Sequence, residues 1–171
     1  MRALYLLRHA KSSWDDPALR DHDRPLAPRG RRAAARVAAY LRDVGIRPAI
    51  VLCSSARRAV ETLEPILQAF DGGLDVRTER ALYGADAGEL LARVRRVPAD
   101  AMSVLIVGHN PGLQDLTLAL AGDGDPGALA QARAKFPTGA LATLDVGGER
   151  WDLLAPGAAF LARLVLPRSL G

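Results

Sequence analysis

Short, continuously apolar runs alternate along this chain with longer segments of helical periodicity, and this alternation limits the folds open to it. Such runs are typical of strands that are buried on both faces of a parallel sheet. Four strands are predicted, over Ala3–Leu7, Ile50–Cys53, Val104–Val107 and Ala140–Leu144. Four helices are predicted, over Pro28–Val44, Ala56–Phe70, Gly88–Val97 and Pro111–Leu120. The alternation predicts right-handed crossovers and a three-layer α/β/α fold around a mostly parallel sheet, with ligands bound beyond the carboxyl ends of the strands.

Three irregular stretches separate these elements. The longest, Ala10–Ala27, is a charged loop of the kind that often carries function. Gly122–Gly127 is expected to form a loop, and Gly147–Trp151 a hairpin turn before a last strand near Trp151–Leu154. The length of 171 residues fits one domain, which we expect to span residues 1–171.

The chain carries a small excess of positive charge, almost all of it arginine. Its 23 Lys and Arg residues against 19 Asp and Glu give a formal net charge of +4, and the lysines are Lys11 and Lys135. The arginines are dispersed and aromatic residues make up only 5%, which argues against a nucleic-acid or membrane-surface protein and fits a phosphorylated or otherwise acidic ligand. A single cysteine, no signal-peptide pattern after Met1 and no apolar stretch near ~18 residues predict a cytoplasmic protein that does not span a membrane.

Basic and imidazole side chains follow three of the predicted strands at the point where each strand ends. Arg8 and His9 end the first strand, Arg58 follows the second, and His109 follows the third, beside Asn110 as a suitable helix N-cap. The carboxyl ends of parallel strands meet at one edge, and a helix N-terminus there favours anions. Either histidine alone is more often structural, but the pair with several guanidiniums suits a tetrahedral oxyanion, above all a phosphoryl group.

Other hydrolase chemistries fit the sequence less well. Cys53 lacks the arginine six residues later that a cysteine phosphatase needs, because Ala59 stands there, and a buried strand end is expected for the thiol. The sequence has no HExxH motif, and Asp21, His22 and Asp23 would alternate faces if extended, which disfavours a metal hydrolase. The phosphate-loop and dinucleotide glycine motifs are also absent. We therefore expect no cofactor and no metal.

Four segments resemble the histidine phosphatase superfamily in order and spacing. They are LRHAKS at Leu7–Ser12, SSARRAVET at Ser54–Thr62, LYG at Leu82–Gly84 and VGHNPG at Val107–Gly112. The hallmark of that superfamily is Arg-His-Gly after the first strand. The small size, RPLAPRG at Arg24–Gly30 and FPTGALATL at Phe136–Leu144 are similar to the SixA-like branch, the protein phosphohistidine phosphatases. The resemblance implies a phosphoglycerate mutase-like fold.

The same resemblance implies roles for individual residues. His9 would be the nucleophile that forms a phosphohistidine intermediate, Arg8 and Arg58 would bind the phosphoryl oxygens, and His109 would complete the pocket. Candidates for contacting substrate or holding the pocket are Lys11, Ser12, Arg24 and Asn110.

Some of these assignments have alternatives. A structural salt bridge from Arg24 to Asp21 or Asp23 is expected as readily as a ligand contact. Lys135 and Thr138 could line the rim of the site, although their local pattern does not require it.

Two positions depart from the family pattern. Ala10 replaces the hallmark glycine, as it does in the SixA-like branch, so we expect it to be tolerated. Phosphomonoesterases of the superfamily place an acidic proton donor about four residues before the glycine of LYG, where this chain has Arg80. Glu79 and Asp86 are nearby, and the proton donor is left unassigned.

The absence of an obvious proton donor favours one reaction over its neighbours. A phosphorylated imidazole is a better leaving group than an alkoxide, so a phosphoramidate can be cleaved with a weaker acid. The short chain also leaves little room for a cap domain, which suits a phosphorylated protein as partner. We expect a metal-independent phosphohistidine phosphatase acting on a phosphotransfer protein. The alternatives are a phosphomonoesterase for a small metabolite at the same site and a non-catalytic phosphate-binding module.

Overall fold

The computed structural model describes residues 1–170, which form seven strands and five helices. The strands are β1 (Arg2–Arg8), β2 (Ile50–Ser54), β3 (Asp75–Glu79), β4 (Ser103–Gly108), β5 (Ala121–Gly124), β6 (Leu141–Val146) and β7 (Ala159–Val165). The helices are α1 (Pro28–Asp43), α2 (Arg57–Ala69), α3 (Ala87–Arg95), α4 (Gly112–Leu120) and α5 (Pro126–Ala134). Among residues 1–170, no helix is both long and apolar enough to cross a membrane.

The strands form one mixed sheet in the order β3-β2-β4-β1-β6-β7-β5. Strands β1, β2, β3 and β4 run parallel to their neighbours within this group, with Leu4 of β1 opposite Val104 of β4. Strand β6 runs antiparallel to β1 and to β7, and β5 is parallel to β7. The mostly parallel sheet confirms the predicted fold class.

Helices cover both faces of the sheet. On one face, Val37 of α1 and Ile66 of α2 pack against strand residues such as Val51. On the other face, α3, α4 and α5 pack against residues that include Leu4 and Ile106. The burial of each central strand on both sides explains why the sequence shows continuous apolar runs there. This three-layer α/β/α arrangement is the predicted one.

The glycine-rich segment Gly122–Gly127 is not the loop that its composition suggests. Its first half belongs to β5, where the absence of a side chain at Gly124 allows close pairing, since a Cβ there would lie 2.7 Å from the Leu161 carbonyl oxygen. Its second half starts α5: the Asp125 carboxylate accepts a hydrogen bond of 2.9 Å from the N–H of Ala128, and Pro126 occupies the first helical position. Turn-forming residues serve here as a strand end and a helix cap.

The position predicted for the last strand also differs from the structure. The prediction of a strand near Trp151–Leu154 is wrong, because Trp151–Leu153 forms a 3-10 helix whose Trp151 indole is buried and donates a 2.7 Å hydrogen bond to the Ala101 carbonyl. The strand itself, β7, begins at Ala159. A short segment that contains a large aromatic residue can bury that side chain in the core without forming a strand of the sheet.

Two further strands differ from the prediction, one in its composition and one in its direction. Strand β3 is polar (DVRTE) and lies at the sheet edge, where none of its five residues is fully buried. Strand β6 matches the fourth predicted strand in position but runs antiparallel, contrary to the prediction of a parallel strand. A strand that is covered by helices on both faces is apolar whether it runs parallel or antiparallel to its neighbours. Its composition therefore does not reveal its direction.

The long loop after β1 is pinned to the start of α1. The Ala27 N–H donates to the Lys11 carbonyl at 2.9 Å, and Ser12 pairs with Leu26 in an isolated antiparallel bridge. Gly30 makes this possible, because a Cβ there would collide with the Lys11 carbonyl oxygen. The loop therefore leaves β1 and returns to a fixed point beside it.

Replacing Gly30 with alanine should destabilise the protein and distort the loop after β1. The added methyl group meets backbone rather than a flexible side chain, so we expect a loss at the upper end of the overpacking range, about 3 kcal/mol. Thermal and urea unfolding measure this loss. Gly88→Ala is the matched control, because that glycine lies in α3 with an ordinary contact of 3.4 Å and alanine favours helix. Equal unfolding temperatures for the two variants would contradict this account of the loop.

Candidate active site

A cavity of about 520 Å³ opens at the carboxyl edge of the sheet, where β1, β2 and β4 end. All eight residues predicted for catalysis or substrate binding line it: Arg8, His9, Lys11, Ser12, Arg24, Arg58, His109 and Asn110. The expected convergence of residues from distant parts of the chain is therefore present. Thr138 also lines the cavity, whereas Lys135 does not.

His9 is held in one orientation with one ring nitrogen available. Its Nδ1 lies 2.7 Å from the carbonyl oxygen of Ala10, which can only accept, so Nδ1 carries the proton. Its Nε2 then bears a lone pair, and the Nε–H of Arg58 approaches it at 3.3 Å. The residue is 7% exposed, and burial lowers the pKa of His9 from 6.5 to about 3. At neutral pH the side chain is an uncharged imidazole with Nε2 as its nucleophilic atom.

Arg58, at the start of α2, is fixed by a carboxylate from the loop after β1. Its Nη1 donates to the Asp21 carbonyl oxygen at 2.7 Å, and its Nη2 donates to the Asp21 carboxylate at 3.0 Å. That carboxylate also accepts from the Tyr83 hydroxyl at 2.6 Å and from Arg24. These hydrogen bonds, led by the one from Tyr83, hold the pKa of Asp21 well below its usual range. Asp21 is therefore an ionised acceptor that orients the guanidinium next to His9.

Arg8 is the last residue of β1 and directly precedes His9 in the sequence. Its Nη1 donates to the Phe136 carbonyl at 2.9 Å, while its Nε is buried and has no acceptor within residues 1–170. A buried N–H without a partner is unfavourable by about 1–3 kcal/mol, and the Arg8 guanidinium is one of the cations that line the cavity. Burial and the nearby charge of Arg58 lower the pKa of Arg8, but an arginine stays protonated at neutral pH.

His109 lies next to His9 in the cavity lining, with ring centroids 5.1 Å apart and ring planes tilted by 55°. Its Nε2 lies 2.7 Å from the hydroxyl oxygen of Ser54, the last residue of β2. Burial, and then the positive charge of Arg58, lower the pKa of His109 from 6.5 to about 4. The two imidazoles are thus both neutral at pH 7, and both lie close enough to Arg58 to feel its charge.

The candidates for substrate contact divide into one free side chain and three that are committed to the protein. Lys11 is exposed, and no ion pair involves it among residues 1–170. Arg24 is buried and bonded to Ser12 at 2.7 Å and to Asp21 at 3.1 Å, which confirms the salt bridge expected as its alternative role. Asn110 donates to the Phe136 carbonyl and accepts from Gln114, so its amide holds the wall together.

The N-cap of α4 is one residue later than predicted. Helix α4 begins at Gly112 with Pro111 at the N-cap, not with Asn110 at the N-cap and Pro111 in the helix. The Asn110 side chain still bonds to the first turn, 3.2 Å from the Gln114 nitrogen. His109 consequently lies just before the helix, with its carbonyl oxygen bonded to the Leu113 N–H.

Ala10, which replaces the hallmark glycine, is accommodated by packing. Its methyl group is fully buried in a small apolar cluster with Leu26 and Ala34. Its backbone N–H donates to the Thr62 hydroxyl at 3.0 Å, which ties the loop after β1 to α2. The expected tolerance of alanine therefore has a structural reason.

The carboxylates near LYG do not enter the cavity. Glu79 pairs with Arg93 at 2.7 Å, and Asp86 caps α3. Cys53 is fully buried, and burial raises the pKa of its thiol to about 12, as expected for a structural strand end. Among residues 1–170, no group of three or more His, Cys, Asp or Glu is placed to hold a metal ion.

Four lining residues were not predicted from the sequence as part of the site: Trp14, Asp21, Tyr83 and Gly84. Trp14 is 68% exposed, with the Arg24 guanidinium 3.5 Å from its ring centroid. Tyr83 contacts His109 edge to face at 5.5 Å. An exposed tryptophan in a charged loop and the tyrosine of LYG were the available signals, but their placement depends on how the loops fold.

Asp21→Asn should slow turnover without weakening substrate binding. The amide loses the ionic contact that orients Arg58, and we expect kcat to fall about tenfold or more through misalignment. Removing a negative charge beside an anion site should leave KM unchanged or lower it. Steady-state kinetics separate the two, with Asp23→Asn as control because Asp23 is exposed and its one ion pair is with His22. A higher KM with unchanged kcat would contradict this role.

Stability should fall as pH is lowered from 7 to 5. Both buried histidines have pKa values below 6.5 in the folded protein, so the unfolded chain takes up protons first as pH drops through 6.5. This linkage amounts to about 2 kcal/mol for each histidine by pH 5. Urea unfolding at several pH values measures it, and His109→Gln should remove about half of the decrease. A free energy of unfolding that is constant across this range would contradict the burial of the two rings.

Comparison with known proteins assigns the chain to a family. Residues 4–100 match the model of the histidine phosphatase superfamily, branch 1. The chain belongs to this superfamily. Relatives include an uncharacterised protein of Mycobacterium tuberculosis, 40% identical over 95% of this chain and 100% of that one. An uncharacterised chloroplastic protein of Arabidopsis thaliana is 35% identical over 98% of this chain and 79% of its own length.

Solved structures place the chain beside SixA proteins. Those from Nakamurella multipartitia and Agrobacterium tumefaciens, each named "putative phosphohistidine phosphatase SixA", match with TM-scores of 0.81 and 0.83 and identities of 39% and 31%. The matches cover 97% of this chain in both cases, and 96% and 98% of those chains. A protein from Escherichia coli named "putative alpha-ribazole-5'-P phosphatase" shares the fold at 20% identity, over the full length of both chains, with a TM-score of 0.71. The matches confirm the superfamily, its phosphoglycerate mutase-like fold and the resemblance to SixA, and they support a phosphatase.

Proposed function

We propose that this histidine phosphatase superfamily member removes phosphate from phosphohistidine on a protein, through a phosphohistidine intermediate on His9. The observation that carries the proposal is the state of His9: Nδ1–H is bonded to the Ala10 carbonyl at 2.7 Å, and Nε2 is unprotonated, with the Nε–H of Arg58 3.3 Å from it. A neutral imidazole with a fixed tautomer is a ready nucleophile. No activating base is needed.

The first step transfers the phosphoryl group between two imidazoles. The lone pair on Nε2 of His9 forms a bond to phosphorus while the bond from phosphorus to the substrate's ring nitrogen breaks. The substrate imidazole departs neutral when its other ring nitrogen already carries a proton. The hydrogen bond from Nδ1–H to Ala10 stabilises the positive charge that His9 gains. In the second step water attacks phosphorus, the bond to Nε2 breaks, and phosphate leaves.

The cations stabilise charge on the transferring group. Arg58 lies against Nε2, so its two remaining Nη–H groups would bind phosphoryl oxygens, together with the guanidinium of Arg8, which lines the same cavity. His109 faces the same space from the end of β4 and completes the cradle. The exposed Lys11, which also lines the cavity, adds a further positive charge. This is catalysis by positioning and electrostatics.

The carboxylate in the cavity supports phosphohistidine over a phosphate ester. Among the described residues that line the cavity, Asp21 is the one carboxylate, and its lowered pKa keeps it ionised. An ionised group bonded to Arg58 and Tyr83 is a poor proton donor for an alkoxide. A phosphorylated imidazole that leaves as a neutral ring needs no such donor.

The test compares two substrate classes under chelation. Purified enzyme is given several phosphohistidine proteins and several simple phosphate esters in excess EDTA, and kcat/KM is measured for each. We expect hydrolysis of phosphohistidine to proceed with chelator and to exceed that of esters. A clear preference for esters would favour the phosphomonoesterase alternative. Activity that is lost with EDTA and restored by a divalent cation would overturn the metal-independent mechanism, and binding of phosphate without turnover of either class would indicate a phosphate-binding module.

A further inference from the structure

A second cavity, of about 360 Å³, lies directly beside the active-site cavity, and Lys11 and Thr138 line both. Its other cationic residues are Arg29, Arg36 and Arg168. Between them the lining is apolar or half-buried, at Ala33, Pro137, Leu166 and Pro167. We refer to the cavity lined by these residues as the basic groove.

The cations of the basic groove are not neutralised by the protein. Within residues 1–170, no carboxylate lines the groove, and no ion pair involves any of its four cations. Two nearby arginines at the starts of α1 and α2 are paired, since Arg31 and Arg57 both contact Glu61. Like charges gathered in one place repel and do not favour the folded state. Their collection beside the active site is better explained by a ligand than by stability.

The fold fixes where these charges lie. Arg29 and Arg36 are seven residues apart in α1, so they lie on one face of the helix about two turns, roughly 10 Å, apart. Gly139, with φ of 76°, lets the C-terminal segment approach, because a Cβ there would lie 2.6 Å from Cγ of Pro167. Arg168 follows in the 3-10 helix Pro167–Ser169. The groove is thus a positively charged strip with an apolar floor that leads to Lys11.

We propose that the basic groove docks acidic side chains on the surface of the protein that carries the phosphohistidine, next to the phosphorylated residue; this rests on the proposed function. The four cations are all exposed and are spread along the groove rather than converging on one point. This arrangement fits several separate carboxylates better than one small anion, which needs converging donors. Charge complementarity of this kind raises the rate of encounter and sets the register of the partner.

The test uses two short synthetic peptides that differ only in the residues flanking one central histidine, glutamates in one and glutamines in the other. Binding of the unphosphorylated peptides is measured by fluorescence anisotropy, and kcat/KM is measured for the phosphorylated forms. The groove variant is Arg29→Glu with Arg36→Glu. The control is Arg42→Glu with Arg96→Glu, which changes the net charge equally at the C-terminal ends of α1 and α3, where both side chains are exposed.

For the wild type we expect the glutamate peptide to bind more tightly and to react about tenfold faster in kcat/KM, with the preference weakened by added salt. The groove variant should lose the preference, the control should keep it, and both should hydrolyse phosphoramidate as the wild type does. Equal binding of the two peptides to the wild type would overturn the proposal, as would a preference that survives in the groove variant. An equal loss with phosphoramidate would also overturn it, since that indicates a small-anion effect. If neither phosphopeptide is hydrolysed, the proposed function fails, and the binding comparison still decides the groove.

Discussion

Replacing His9 with alanine should abolish phosphatase activity, with a loss of at least about 10⁴-fold in kcat, the scale seen when a nucleophile is removed. The remaining cations can still bind phosphate, but nothing is left to accept the phosphoryl group. The ring makes one hydrogen bond to the adjacent backbone and one contact to Arg58, so the fold should persist. Phosphohistidine hydrolysis and circular dichroism measure the two outcomes.

A matched control comes from the third histidine of the chain. His22 lies near the same edge but does not line the active-site cavity, and its Nε2 is bonded to Ser55 at 2.8 Å. His22→Ala should therefore retain most of the activity. If His9→Ala remained active, or if both variants lost activity equally while staying folded, His9 would not be the nucleophile.

Replacing Arg58 with alanine should reduce kcat by about 10²- to 10³-fold, the usual loss for one preorganised donor to a transition-state oxyanion. Arg58 reaches Nε2 of His9 and the Asp21 carboxylate at once, and this fork is absent from lysine. We expect Arg58→Lys to recover less than a tenth of the lost rate, because a lysine cannot make both contacts. Steady-state assays with one phosphohistidine substrate measure kcat for both variants.

The neighbouring arginine provides the control. Arg57 is exposed and pairs with Glu61 on the surface of α2, one helix position away from Arg58. Arg57→Ala should leave kcat within about twofold, since an exposed ion pair contributes little. Similar losses at the two positions would show that a general positive field, and not the placement of Arg58, carries the effect.

Much of the active-site cavity follows from the sequence, for a physical reason. Arg8, His9 and His109 each lie at the end of a buried strand, and such strands can be found by their apolar runs. Parallel strands bring their carboxyl ends to one edge, so residues far apart in sequence meet there. The layers of the fold were predicted correctly for the same reason, because strands that are buried on both faces are continuously apolar in sequence.

The features that the sequence did not reveal depend on loops and on polar or edge elements. The position of Asp21 next to Arg58 depends on the path of an irregular loop, which no periodicity describes. The tautomer of His9 depends on where the Ala10 carbonyl points. Strand β3 carries little apolar surface because it lies at the edge, and Trp151 buries its indole outside the sheet. Local composition in these places was consistent with more than one structure.

The most direct test of the central claim is to trap the phosphorylated enzyme and locate the phosphate. The protein is mixed with a ³²P-labelled phosphohistidine protein, quenched rapidly, and divided between acid and base before peptide mapping. The account predicts label on His9 that survives base and is lost in acid, as expected for a phosphoramidate, and no label on His9→Ala. Label that is stable in acid, or that maps to another residue, would contradict it.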